Sequence, residues 1–257
     1  MPAAELRSLI ETRVEERLGG RFPAALGWRP RPDAPTAATG IPEVDALTDG
    51  LPRGALTEVC GPASSGRTAL LLSLLAEFTR REELCALLDA GDSFDPASAA
   101  AAGVELGRLL WVRCEKAARC RQAAGAGKNS DKTLGNVERA LRAADLVLQA
   151  GGFGLVALDL GDIPAATARR VPLTSWFRFR RAVEETPAAL LLLTQEALTG
   201  TCAALTLRLA AAASAEPPEL PAHARRLGRF SVAVEVARSA WARRPGSGMR
   251  TAFTTDL

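Results

Sequence analysis

Leu56-Thr57-Glu58-Val59-Cys60-Gly61-Pro62-Ala63-Ser64-Ser65-Gly66-Arg67-Thr68-Ala69-Leu70-Leu71 passes from a short apolar stretch, through a glycine- and serine-rich bend, into leucines at helical spacing. Leu56 to Cys60 reads as a strand. Thr68 to Arg81 reads as a helix with Leu70, Leu71, Leu74, Leu75 and Phe78 on or near one face. Between them, Gly61 to Thr68 matches the Walker A pattern except that Arg67 stands where lysine is expected. Glycines in such a bend let backbone N–H groups turn inward and hold phosphate oxygens at a helix N-terminus, and the Thr68 hydroxyl suits a magnesium ion. Gly61, Ser64, Ser65, Gly66, Arg67 and Thr68 are therefore the expected nucleotide-binding set. Arg67 keeps the positive charge, but its planar fork is not a neutral replacement for a compact ammonium group. The competing reading is a plain strand-to-helix turn. The strand before and the helix after favour the phosphate loop.

Working outward, Leu84 to Asp89, Leu109 to Arg113, Leu155 to Leu160 and Ala188 to Thr194 read as further strands, and Leu134 to Ala150 and Thr174 to Glu185 as helices. Strands alternating with helices predict an α/β fold with a mainly parallel, twisted sheet flanked by helices. Ala204 to Leu209, Ser231 to Ala237 and Met249 to Thr254 follow without intervening helices, which predicts an antiparallel C-terminal extension. Residues 1–38 read as an N-terminal helix, Glu5 to Leu18, plus a Pro/Ala-rich linker. Residues 39–257 read as the core with a short basic tail. Ala117 to Lys132 is polar and reads as an exposed loop. Asp159 ends a buried strand downstream of the phosphate loop, where a carboxylate orders the magnesium shell. Thr68 and Asp159 are thus the expected metal residues.

The chain of 257 residues suits one large domain with small appendages. Its net charge of +3 is too mild to argue for nucleic-acid binding, so only local clusters carry that argument. No apolar run is long enough to cross a bilayer and no secretory leader is legible, which predicts a cytoplasmic protein without membrane association. Five cysteines at irregular spacing and a single histidine, His223, make a zinc site improbable and suit reduced core thiols.

Several stretches together resemble the bacterial RecA recombinase family. They are Thr39 to Asp45, Gly50-Leu51-Pro52-Arg53-Gly54, the phosphate loop with its strand, Asp89-Ala90-Gly91-Asp92-Ser93-Phe94-Asp95-Pro96, and Leu190 to Gln195. The resemblance implies a RecA-like P-loop core using ATP and magnesium, with Asp95 against the adenine and Gln195 sensing the terminal phosphate. It also implies departures. Gly91 stands where the family carries the glutamate that activates water, and a glycine cannot act as a base. Asp92 is the adjacent carboxylate available as a partial substitute. Ser98 replaces a stacking aromatic. The expectation is weak or absent ATP hydrolysis.

A RecA-like core of this length with an altered site is similar to the mutasome accessory family of ImuA type. That likeness implies a nucleoid-associated, SOS-linked role in DNA repair and translesion synthesis, beside a translesion polymerase complex and the RecA recombinase. Self-association would run through the N-terminal helix; the competing and commoner reading is that its apolar stripe packs on its own domain. Arg169 and Arg170, with Arg178, Arg180 and Arg181 among Trp176, Phe177 and Phe179, are candidate DNA contacts through phosphate pairing and base stacking. The competing reading, an amphipathic helix with its aromatics in the core, is favoured for the second group. Three functions stay open: an accessory binding protein, a divergent DNA-dependent ATPase or recombinase regulator, and a scaffold that has dropped nucleotide.

Overall fold

The computed structural model describes residues 35–114, 129–184, 186–212, 229–240 and 249–256. The expected N-terminal helix, most of the 117–132 loop, Cys120, His223 and the Arg225, Arg226, Arg243 and Arg244 clusters lie outside them. Strands β1 (Thr36–Ala37), β2 (Leu51–Pro52), β3 (Ala55–Cys60), β4 (Cys85–Asp89), β5 (Leu109–Arg113), β6 (Leu155–Asp159), β7 (Ala189–Thr194), β8 (Leu205–Ala211), β9 (Arg229–Ser239) and β10 (Arg250–Asp256) are interleaved with helices. The helices are α1 (Pro42–Thr48), α2 (Arg67–Arg80), α3 (Pro96–Ala101), α4 (Asn129–Ala150), α5 (Ala165–Ala168) and α6 (Leu173–Glu184).

Eight strands form one sheet in the order β10-β9-β8-β3-β7-β6-β4-β5. β8, β3, β7, β6, β4 and β5 pair in parallel, β9 adds antiparallel to β8, and β10 adds antiparallel to β9. The expected fold class is therefore the observed one, with the antiparallel extension beginning at β9. Thr36–Ala37, expected in the linker, pairs with Leu51–Pro52, and the compact unit that holds the sheet starts at Ala34. α4 corrects the loop expected through Lys132, because it already starts at Asn129. Its polar first turn hides it from a reading based on apolar spacing.

Alternation along each buried strand divides the core. Leu191 and Leu193 of β7 face α2, where Leu70, Leu71, Leu74, Leu75 and Phe78 pack. Leu190 and Leu192 face α4 and α6, meeting Val137, Ala140, Ala144, Trp176, Phe179 and Val183. Cys60, Cys85, Cys114 and Cys202 are buried, unpaired thiols. Burial pushes Cys60 and Cys114 up to about 11 and Cys85 to about 12, as inert core thiols require.

A buried acidic residue in the middle of β3 interrupts the apolar pattern. Glu58 of β3 is 1% exposed and accepts from Leu198 N at 2.6 Å and from the Thr199 hydroxyl at 2.6 Å. It fixes the connection between β7 and β8. Arg238 clamps the same connection by donating to the Gly200 carbonyl at 2.7 Å. Next to Glu58, the Thr57 hydroxyl is buried without a partner. Glu58→Ala is expected to cost about 3 kcal/mol or more, because charged hydrogen bonds are lost and buried donors orphaned. Thr57→Val is expected to be neutral or stabilising within ~1 kcal/mol. Chemical denaturation of both variants checks the contrast.

Candidate nucleotide site

Parallel strands bring their C-terminal ends to one edge of the sheet, where ligands of such folds bind. In register, Cys60 lies beside Thr194, Leu193 beside Asp159, and Asp159 beside Asp89. The phosphate loop leaves β3 at this edge. Ser64 and Gly66 adopt left-handed φ values of 59° and 89°, which turn successive N–H groups to one side ahead of the 14-residue helix α2. Gly66 also lets β9 approach, because a Cβ there would come within 2.3 Å of a Val232 methyl. The Ser65 hydroxyl is buried and turned toward Gly61, so Ser65 offers the loop its backbone N–H. Thr68, in the first turn of α2, is exposed.

Arg67 is 8% exposed and donates from Nη1 to the Gly161 carbonyl at 3.0 Å. Gln195 donates from Nε2 to the same oxygen at 3.2 Å. The structure thus brings together the phosphate-loop cation, the glutamine after β7 and the turn after β6, three regions far apart in sequence. Asp159 holds that turn by accepting from Gly161 N at 2.7 Å. Burial, with smaller contributions from Asp89 and Asp162, pushes the Asp159 carboxyl up to about 6.

The loop after β4 is folded by its own carboxylates. Asp89, fully buried, accepts from Ser93 N, Phe94 N and the Trp111 indole. Asp92 forms a two-pronged ion pair with Arg113 at 2.6 and 2.7 Å, and Arg113 lies over the Trp111 ring. Asp95 caps α3, accepting from Ala97 N, Ser98 N and the Ser98 hydroxyl. Those bonds hold its carboxyl below the ordinary range. Gly91 faces Asp162: a Cβ at residue 91 would stand 3.1 Å from the Asp162 Cβ and 3.5 Å from its Oδ2. Sequence reasoning assigned no role to Asp89, Asp162, Glu58 or the Gly161 carbonyl. Glu58 alone left a signal, as a charge inside an apolar run.

The candidate DNA contacts divide. Arg169 lies at the site edge and pairs with Glu196, and Arg170 beside it is exposed. Arg178 pairs with Asp145 and lies over the Phe179 ring, and Arg180 pairs with Glu184. Trp176 and Phe179 are buried, whereas Phe177 is half-exposed and Arg181 exposed. α6 returns the chain to the start of β7, and its last carbonyl lies 3.2 Å from where a Cβ would stand on Gly54, just before β3. Arg180 and Arg181 therefore sit toward the opposite end of the sheet from Arg169. The two groups do not form one patch.

The residues fit a nucleoside triphosphate with magnesium. Backbone N–H groups and Arg67 suit phosphate, and the Thr68 hydroxyl and Asp159 carboxylate are hard oxygen ligands for the ion. A cleft of about 700 Å³ adjoins the loop, lined by Gly61, Pro62, Gln195, Glu196, Arg208 and Arg250 among others. Without the ion, ionised Asp159 costs stability, since its pKa in the fold exceeds the ordinary 3.8. That cost is absent below 3.8 and complete above about 6. Asp159→Asn is therefore expected to stabilise the metal-free protein at pH 8 by roughly 1–3 kcal/mol. The gain should fade toward pH 4, and melting curves at both values check it.

Residues 9–126 match the family model of the RecA N-terminal domain. Over 148 residues the chain is 30% identical to Protein RecA of Rickettsia bellii (strain RML369-C), covering 57% of this chain and 37% of that protein. Over 149 residues it is 30% identical to Protein RecA of Wigglesworthia glossinidia brevipalpis, covering 57% and 39%. The chain thus matches well under half the length of these relatives. In fold it is similar to the crystal structure of the RadB recombinase, with a TM-score of 0.52 at 17% identity, covering 86% of this chain and all of that one. Among the described residues no helix is long and apolar enough to cross a membrane. Residues 9–126 thus resemble the RecA N-terminal domain in sequence, and the chain as a whole is similar in fold to the RadB recombinase.

Proposed function

We propose that this protein is a RecA-like accessory factor in DNA repair and damage-induced translesion synthesis that binds ATP with magnesium and hydrolyses it slowly. The observation that carries the reading is the convergence of Arg67 and Gln195 on the Gly161 carbonyl, beside Asp159. Two donors suited to an anionic oxygen are held on a neutral one. A terminal phosphate is the stronger acceptor and draws both toward it. With a triphosphate bound, the loop N–H groups would hold the phosphate chain, and Thr68 and Asp159 would hold the magnesium. An ion held there would supply charge to offset that on the phosphate oxygens.

Slow turnover follows from the carboxylates on the loop after β4. Gly91 has no side chain, and Asp92 is engaged by Arg113. A service role, in place of strand exchange, is supported by the short connection between β7 and β8, pinned by Glu58 and Arg238. It is supported also by the pairing of Arg169, Arg178 and Arg180 with acids of the same chain. The partners in this reading are a translesion polymerase complex and the RecA recombinase. DNA is reached directly through the exposed Arg170, with Arg169 beside it released from Glu196, or through those proteins. The setting is the cytoplasm, at the nucleoid.

Purified protein is expected to bind a fluorescent ATP analogue with magnesium, and Thr68→Ala to weaken that binding about tenfold or more, the equivalent of ~1.4 kcal/mol. Turnover with and without single-stranded DNA should stay on the order of 0.1 per second or below. That value follows from a typical ~10 per second reduced by the ~10²-fold or more that a well-placed general base at residue 91 would contribute. Strong DNA-stimulated hydrolysis would favour a divergent ATPase instead. Binding that ignores Thr68→Ala would favour a scaffold.

A further inference from the structure

Hydrolysis of a phosphoanhydride at neutral pH is helped by a carboxylate that can take a proton from water. Five aspartates gather where β4 and β6 end, and four are occupied. Asp89 is buried under three hydrogen bonds. Asp92 is bound by Arg113. Asp95 caps α3. Asp159 holds Gly161 N and stands where the ion would bind.

Asp162 differs from all four. It is exposed, and among the described residues it makes no hydrogen bond or ion pair. It is not loosely placed, however. Its turn is closed by Ile163 N donating to Leu160 O at 3.1 Å and by Leu160 N donating to Leu193 O at 3.0 Å. The preceding carbonyl, that of Gly161, is the oxygen on which Arg67 and Gln195 meet. Asp162 is thus fixed one residue from the point where the phosphate-loop cation and the glutamine converge.

Asp162 also fills a definite space. The nearest atoms to a Cβ built on Gly91 are the Asp162 Cβ at 3.1 Å and Oδ2 at 3.5 Å. The first distance is tighter than ordinary carbon contact, so a side chain at 91 and the present Asp162 compete for one volume. The φ of Gly91 is not in the left-handed region, so backbone conformation does not account for the glycine. The facing carboxylate does.

We propose that Asp162 is the carboxylate that takes the proton of the attacking water in this protein's slow hydrolysis, and that Gly91 is glycine to leave it room. The water oxygen bonds to the terminal phosphorus, and the bond from that phosphorus to its bridging oxygen breaks. The water's proton passes to Asp162 and on to solvent. The products are a nucleoside diphosphate and inorganic phosphate. This inference rests on the nucleotide site proposed above and adds the group that serves it.

Three measurements on the full chain test the assignment and separate its failure from that of the site. Binding of a fluorescent ATP analogue with magnesium tests the site itself. Asp162→Asn is expected to bind the analogue within about twofold of the parent while ATP turnover falls at least tenfold, a modest share of what a general base contributes. Melting temperatures test the shared volume without any turnover. Gly91→Ala should lower the melting temperature by about 3 °C with Asp162 present, and by clearly less in an Asp162→Gly background. Analogue binding combined with undiminished turnover in Asp162→Asn, or with no turnover in the parent, overturns the assignment and leaves the site standing. An equal effect of Gly91→Ala in both backgrounds overturns the shared-volume argument. Absence of analogue binding overturns site and assignment together.

Discussion

The Gly161 carbonyl accepts from Arg67 of the phosphate loop and from Gln195 after β7, while its own N–H is held by Asp159. Through that peptide, three chain segments separated by some tens of residues become one polar junction at the sheet edge. A buried guanidinium needs acceptors, and leaving it without one would cost several kcal/mol. Glycine at residue 161 is part of the arrangement, since a Cβ there would lie 2.9 Å from Arg67 Nη1 and from Asp159 Oδ1. The arginine in place of lysine is accommodated by this junction: its longer, forked end reaches a backbone oxygen beyond the loop.

The rest of the fold holds the junction in place. Apolar side chains on both sides of β3, β7 and β6 fill the two core clusters, and the parallel register then leaves Asp159 beside Asp89 and Thr194 beside Cys60. β9 presses Val232 against Gly66, so the antiparallel extension supports the phosphate loop from behind. Glu58, three residues before the loop, anchors the connection that follows Gln195. The loop and the glutamine are therefore joined twice, by the Gly161 carbonyl and by the Glu58 carboxylate.

Much of this was legible in the sequence, for definite reasons. Strands buried on both faces are continuously apolar, so β3, β4, β6 and β7 are legible within one residue at each end, and the apolar run of the half-exposed edge strand β5 is legible at its observed bounds. The phosphate loop was legible because its conformation depends on glycines at fixed spacing. The short helices α1 and α3 were not read, being too brief for periodicity to register. The Gly161 junction was invisible for a deeper reason: its acceptor is a backbone oxygen, which no residue letter reports. The pairing of Asp92 with Arg113, and the facing of Gly91 by Asp162, depend on which strands lie side by side, and only the folded sheet supplies that.

Arg67 and Gln195 either answer to a nucleotide or serve only to tie the fold together. Their side-chain N–H resonances, followed by NMR while a non-hydrolysable ATP analogue and magnesium are added, report this directly. Both sets should shift together and saturate at one stoichiometric equivalent as the two groups leave the Gly161 carbonyl for the terminal phosphate. Signals that stay unchanged through the titration would show that the junction is only a structural tie, and the proposed nucleotide response would be wrong.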